Sequence, residues 1–582
     1  MSATVQSGKQ YSNGVHVNGV GELNHPVAED KIHSYAEQSA AAAPAPAPSA
    51  PTVCWSGPEQ VIHFAGNGLD EICSAVDRPV YLVRAANGAV GASLGGEVAT
   101  VRSPGVRYPL VGMLPQHFPE WLGDRSFGET HGTRYAYVTG EMAHGIASPA
   151  MVIAAGRAGM LGFLGTAGLS PARIESAIAE TSAALDPEGR PWGVNLIHNT
   201  QEPLVELETA KLFVRLGVMK VSASAFMSVT PAVVYLAAKG ASLLPDGTPH
   251  RARHLFAKVS RPETAKPFMS PPPADILKSL VAKGELTEAE ATAAAQLPIA
   301  EDITVEADSG GHTDNRPASA ILPRVTQLRD QLMAVHGYAR RIRVGAAGGL
   351  GTPQAVAAAF NMGADYIVTG SVNQTCVESG LSADARRLLM TVDVTDMGMA
   401  AAGDMFELGV KVQVLKRGTM FAGRANQLYT LYSSYNSLDE IPATKRAQLE
   451  KDVFRASIDE IWRETEAFFA ERDPSQIERA ARDPKHQMAL VFRWYLGKSV
   501  HWAISGEESR RMDYQIWCGP ALGAFNHWVS GTFLEAPEAR TIAQVGLNLL
   551  LGAAVAQRAQ MLRSMGVAVP STCFNYQPTS LV

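Results

Sequence analysis

Between residues 135 and 374 the chain alternates eight times between a short apolar run and a stretch with helical spacing, and this repetition limits its fold more than any other feature. The runs are Tyr135–Ala143, Met160–Leu164, Trp192–Ile197, Val218–Ser222, His254–Val259, Ile303–Val305, Arg341–Val344 and Asp365–Thr369. Each is too short for a helix, and each ends in Gly, Ser, Asn or another polar residue. Ser148-Pro149, Ser170-Pro171 and Thr352-Pro353 then supply a hydroxyl N-cap and a proline suited to the first helical turn. Repeated strand–helix units build parallel sheets, and eight of them within this span match a (β/α)₈ TIM barrel.

The flanks differ in texture. Residues 1–51 are rich in Ala, Ser and Gly and end in an Ala-Pro run, which suits a tail and semi-stiff linker. Residues 52–134 carry short apolar runs between Gly and Pro clusters and read as a small α+β subdomain. Residues 375–582 show apolar residues at three- and four-residue spacing and read as a helical C-terminal domain, with Trp494, Trp502, Trp517 and Trp528 assigned to its core. A stretch at 260–301, opened by Pro271-Pro-Pro273, is an insertion that serves either as a lid over the active-site face or as peripheral decoration.

Composition excludes several classes. With 50 basic and 56 acidic residues the net charge is −6 and no basic block stands out, which disfavours nucleic-acid binding. No apolar run reaches the roughly 18 residues that span a bilayer, and Met1–Gln10 lacks a signal-peptide pattern. The five cysteines form no CxxC pair, so a reduced, cytoplasmic protein without disulfides or a zinc site is expected. No metal is expected elsewhere either.

Chemistry belongs at the carboxyl ends of barrel strands. There the sequence places Met142, Ala143, Gly165, Asn195, Ser222, Lys258, the loop Glu306-Ala-Asp-Ser-Gly-Gly-His-Thr-Asp-Asn-Arg-Pro317, the run Gly345–Gly351 and Gly370-Ser371. The glycines after strands seven and eight, Gly348, Gly349 and Gly370 with Ser371, sit where such barrels bind phosphate through backbone N–H groups. Neither GxxxxGK[ST] nor a Rossmann GxGxxG is present. A flat ligand with hydrogen-bonding edges and one phosphate suits the remaining small and polar strand ends, and FMN is such a ligand.

The motifs Glu306–Pro317, Arg343–Gly349, Val368–Gln374, Asp404–Gly418 and Asp513–Pro520 together resemble the PfaD family, trans-acting enoyl reductases of polyketide and polyunsaturated fatty acid synthases. The barrel part is similar, more weakly, to FMN-dependent enoyl-ACP reductases and nitronate monooxygenases through Glu141-Met-Ala143, Asn195, Gly310-Gly-His312, Gly348-Gly349 and Gly370-Ser371. The resemblance implies FMN, NADPH as reductant, and an enoyl thioester on acyl carrier protein as substrate, within polyketide or fatty acid synthase modules. It implies flavin contacts from Gly310 and Gly311, and a role for His312 as proton donor, as polariser of the thioester carbonyl, or as a wall of the flavin pocket.

Lys258 either stabilises negative charge or serves as a structural ion-pair partner. Asp308, Asp314 and Arg316 are expected to orient the loop, and Lys411, Lys416, Arg417 and Arg424 either form an ordinary solvated face or offer a docking surface for an acidic carrier protein. A flavin oxidase of the nitronate monooxygenase type and a catalytically silent scaffold are the competing expectations. Monomer and homodimer both remain open.

Overall fold

The computed structural model describes residues 53–100, 107–199 and 203–581. The tail and linker expected over 1–51 lie outside them. Eight parallel strands close into a barrel: β1 (Tyr137–Thr139), β2 (Leu161–Leu164), β3 (Gly193–Ile197), β4 (Lys220–Ser224), β5 (His254–Val259), β6 (Asp302–Glu306), β7 (Arg343–Ala347) and β8 (Ile367–Thr369). Their hydrogen-bonded order is β4-β5-β6-β7-β8-β1-β2-β3, closing on itself. All eight apolar runs became barrel strands, because strands covered on both faces read as continuous apolar sequence.

Helices α1 (Pro149–Arg157), α2 (Pro171–Leu185), α3 (Pro203–Arg215), α4 (Pro231–Ala238), α5 (Pro262–Phe268), α6 (Ala318–His336) and α7 (Pro353–Asn361) follow the first seven strands. Ser148, Ser170 and Thr352 cap α1, α2 and α7 through their side chains, each with proline in the first turn. The eighth position of the ring is filled from far along the chain. Helix α8 (Ile542–Ser564) packs between α7 and α1. A Cβ on its Gly546 would lie 2.6 Å from Met160 and 3.4 Å from Tyr137, and one on Gly552 would meet Pro353, so both glycines let α8 press against the barrel wall.

The region expected as one helical domain over 375–582 is therefore divided. Residues near 400–496 have a core of their own, built from Phe406, Val412, Phe421, Leu428, Phe454, Phe492 and Tyr495. Cys518, Leu522, Phe525, Val545 and Leu549 belong instead to the barrel's core. The divided region also contains strands that helical spacing did not reveal: β9 (Met397–Ala401) pairs antiparallel with β10 (Lys411–Leu415).

The amino-terminal ends of the strands are sealed. A short helix, Arg125–His131, belongs to this plug rather than to a separate subdomain: Phe127 stacks on Tyr366 at 4.7 Å, and His131 Nε2 meets Asp302 Oδ2 at 3.0 Å. Arg343 Nε donates to the other Asp302 oxygen at 2.6 Å. Residues 274–299 of the 260–301 stretch also pack at this end. Its helices Ala274–Ala282 and Glu288–Ala294 lie against α4, Glu290 binds Lys239 and the Gly240 N–H, and Arg251 donates to Pro298 O and Ile299 O. Those contacts are with the trailing end of α4 and the leading end of β5, so the insertion is peripheral there and is not a lid over the opposite face.

Ahead of the plug, a six-stranded antiparallel sheet encloses Trp55, Ile62 and Val83. Arg558 of α8 ties it to the barrel, donating to Ala75 O, Val76 O, Arg78 O and Pro115 O at 2.6 to 3.2 Å while only 1% exposed. Truncation strands four carbonyls at once. Arg558→Met is expected to lose at least about 3 kcal/mol in urea unfolding and to expose the sheet to limited proteolysis first.

Candidate active site

With one end plugged, the open face is the carboxyl end of the barrel, and its centre is ionic. Lys258 Nζ at the end of β5 lies 3.3 Å from Glu141 Oε1 and 3.4 Å from Glu306 Oε1. Ser222 Oγ donates to the same Glu141 oxygen at 3.0 Å. Burial alone would drive the ammonium toward neutrality, but the two carboxylates outweigh it and raise its pKa above the ordinary lysine value. Lys258 is thus a permanent cation in a partly dry mouth. The two carboxylates that hold it sit in motifs whose sequence alone assigns them no role.

His312 stands beside this cluster on the loop after β6. Its two-residue strand, Gly311–His312, pairs with β10, so the loop is sewn onto the 400–496 region. Nε2 lies 3.2 Å from Asp404 Oδ1, with the histidine side chain about one-third and the aspartate about half exposed. Burial lowers the imidazole pKa, and Asp404, then Glu306, more than restore it, so the net shift is upward from 6.5. The loop's other polar residues orient it as expected. Asp308 accepts from Asn315 and Gln413, both at 2.8 Å, and its N–H donates to Arg316 O. Asp314 is bound by Ser260 and Arg261.

Trp517, assigned to a helical core by its spacing, lies at the mouth. Its indole stacks on His144 with centroids 5.8 Å apart and planes 16° from parallel, and it passes about a contact distance from where a Gly311 Cβ would be. Burial, with Arg173 and His501 nearby, lowers the His144 pKa to about 4, so this ring is neutral at pH 7. The next residues close over the glycine loops. Cys518 Cα would sit 2.6 Å from a Cβ on Gly310, and Gly519 N donates to Ser371 Oγ at 3.0 Å. Gly310 therefore makes room for protein backbone, and the Ser371 hydroxyl already has a partner.

The other glycines divide in the same way. Gly165 is forced by packing, since a Cβ there would lie 1.7 Å from Met142 O; Ala143 O in turn accepts from Ile146 N in the adjoining turn. Gly348 adopts φ +82°, and a Cβ would meet the Ala307 carbonyl carbon at 2.8 Å. Gly349 and Gly370 face open space, with no atom within 4 Å of either Cβ position. That open pair beside the ends of β7 and β8 is a cradle that a side chain would fill. Asn195 Nδ2 is engaged by Ser222 O and Ser224 Oγ. Ser309 Oγ and Gln374 Oε1 are buried without a hydrogen-bond partner among the described residues, and a ligand with polar edges would satisfy them.

Of the docking candidates, Lys411, Lys416 and Arg417 are exposed, whereas Arg424 is turned inward and paired with the buried Asp513. Arg424 is not part of a docking surface. Its ion pair joins two segments of the C-terminal region.

Comparison with known proteins follows the same division of the chain. Residues 128–417 match the nitronate monooxygenase family model, and residues 435–514 match the inserted helical domain of acyl-carrier-protein S-malonyltransferase. Fold and site together define a barrel of the nitronate monooxygenase kind, with helical segments inserted before its last helix. A polyunsaturated fatty acid synthase subunit of Thraustochytrium sp. is 46% identical over 79% of this chain and 31% of its own length. Polyketide biosynthesis protein PksE of Bacillus subtilis is 46% identical over 75% of this chain and 56% of its own. The crystal structure of the enoyl reductase domain of MlnA, from the macrolactin cluster of Bacillus amyloliquefaciens, superposes with a TM-score of 0.73 at 40% identity, covering 76% of this chain and 99% of that one. The chain belongs to the PfaD family. It spans between 22% and 56% of the length of the curated relatives it matches. No helix among the described residues is long and apolar enough to cross a membrane.

Proposed function

We propose that this chain is a trans-acting enoyl reductase that saturates the α,β double bond of thioesters on acyl carrier protein, with FMN as cofactor and NADPH as reductant, in the cytoplasm. The observation that carries this reading is the presence of a fixed cation, Lys258, and a histidine kept basic, His312, on the same face of the barrel as the open glycine cradle. The likeness to the MlnA enoyl reductase domain supports it. The cradle at Gly349 and Gly370 would hold the FMN phosphate, and the unpartnered oxygens of Ser309 and Gln374 offer a donor and an acceptor to its polar edges. When bound, FMN supplies two-electron chemistry, accepting hydride from NADPH and passing it to the β-carbon of the enoyl group.

The chain's own residues do the rest. Hydride addition to the β-carbon pushes an electron pair toward the thioester oxygen, and Lys258 places a positive charge where that negative charge grows. His312 delivers the proton that completes the α-carbon, so each turnover adds one hydride and one proton across the double bond. The stacked rings of Trp517 and His144 narrow the mouth and keep water from the reacting atoms.

The test is an anaerobic two-step titration. NADPH should bleach the yellow holoenzyme, and a crotonyl thioester of acyl carrier protein should restore the colour. Restoration by oxygen alone would remove the proposal, and oxygen-dependent turnover of a nitronate would favour the oxidase reading that the 128–417 match allows.

The cradle makes its own prediction. Gly370→Ala places its methyl in open space, so its thermal midpoint should stay near that of the parent while FMN affinity falls about 10- to 100-fold, the loss of charge-assisted bonds to a phosphate. Absorbance titration of apoprotein with FMN measures this. Gly165→Ala is the contrast, because its methyl collides with Met142 O and the fold itself should weaken.

A further inference from the structure

What holds His312 in place does not come from the barrel. Gly311 lies opposite Gln413 and His312 opposite Val412, so β10 fixes the backbone of the loop. Gln413 Nε2 then donates to Asp308 Oδ1 at 2.8 Å and to Ser309 O at 2.7 Å, which fixes the shoulder before the two glycines. Rotation of the imidazole about its side-chain bonds remains, and Asp404, in the turn between β9 and β10, restrains it by meeting Nε2 at 3.2 Å. A carboxylate on one ring nitrogen leaves the other, Nδ1, to carry and release a proton toward substrate, the logic by which an acid orients a histidine in other catalytic pairs.

We propose that Asp404 is the positioning residue for His312, so that proton delivery is assembled from both sides of the barrel–insertion boundary. The inference rests on His312 being the proton donor of the reaction proposed above. The charged groups that face the ring are Asp404, Glu306 and Lys258. Lys258 is shared between Glu306 and Glu141, which leaves Asp404 as the nearest carboxylate without a lysine between. Its own carboxyl is held below the ordinary aspartate value against a burial effect that raises it, through the approach of His312 at 3.2 Å. Asp404 is half-exposed, so changing it removes no core contact.

Asp404→Asn in the holoenzyme tests the assignment. With histidine labelled at Cε1, the His312 signal is identified by its absence from His312→Gln. In Asp404→Asn that signal should titrate at lower pH than in the parent. The pH at which reoxidation by crotonyl-carrier thioester slows should move down with it, and Asp404→Glu should restore both. A His312 titration unchanged by Asp404→Asn overturns the proposal, as does a slowed reaction whose pH dependence stays where it was. The signal is read without turnover, so a shifted titration in a protein that reduces no enoyl thioester would support the pairing and remove the reaction instead.

Discussion

Replacing His312 by alanine lowers the rate at which enoyl thioester reoxidises the reduced enzyme by about 100- to 10,000-fold, the range for loss of a positioned general acid. The effect should be confined to that half of the cycle, because hydride uptake from NADPH needs no protein acid. FMN should remain bound, since the open cradle at Gly349 and Gly370 lies on the loops after β7 and β8 and not on the histidine loop. Stopped-flow absorbance in each direction separates the halves. Equal slowing of both, or loss of FMN with normal turnover after reconstitution, would make His312 a pocket wall.

The parent's pH profile carries a sign. Because the folded pKa of His312 is raised above 6.5, the protonated acid persists past the pH where an isolated histidine would lose it, and the rate falls only as pH rises through the raised value. The ion pair's contribution to stability has the same direction on that side: fully present below 6.5 and lost as pH rises through the folded pKa. On the acid side it disappears as pH falls through the depressed pKa of Asp404.

Lys258→Met is expected to be the most damaging single change to the mouth. The methionine preserves most of the apolar stem but leaves Glu141 and Glu306 facing one another with no cation between. Removing one partner of a largely buried ion cluster costs about 3 kcal/mol or more, so a clear drop in urea midpoint should accompany loss of enoyl reduction. Since the lysine pKa is raised, its charge and the stability it contributes persist through the neutral range and are lost only in strong base. The difference in midpoint between parent and variant should therefore match at pH 7 and pH 9. A variant as stable as the parent but inactive would place Lys258 in the chemistry alone; a destabilised variant with normal turnover would place it in the scaffold alone.

The barrel was legible because its signals are local. Apolar runs for strands buried on both faces, Ser-Pro and Thr-Pro starts for helices and glycine runs after β7 and β8 can each be read within ten residues. The ionic centre was half legible: Lys258 and Ser222 were placed at strand ends, while Glu141 and Glu306 became its partners only when β1, β5 and β6 closed into a ring. Asp404 and Trp517 could not be read, since each acts through contact with a loop distant in sequence. Nor does spacing distinguish α8 from any other amphipathic helix of the C-terminal region. The 260–301 stretch shows the same limit, because proline content marks an insertion without saying which end of the barrel it covers.

Helix α8 also sets the order in which the protein can be made. The seam between α7 and α1 stays unfilled until Ile542–Ser564 has been made, about 195 residues after β8, or roughly 10 to 40 seconds of synthesis at ordinary rates. Throughout that interval the nascent barrel exposes the apolar wall around Met160 and Tyr137 that α8 will cover. Truncated chains ending before residue 542 should consequently bind chaperones and aggregate, even though they contain every strand of the barrel and most of its mouth.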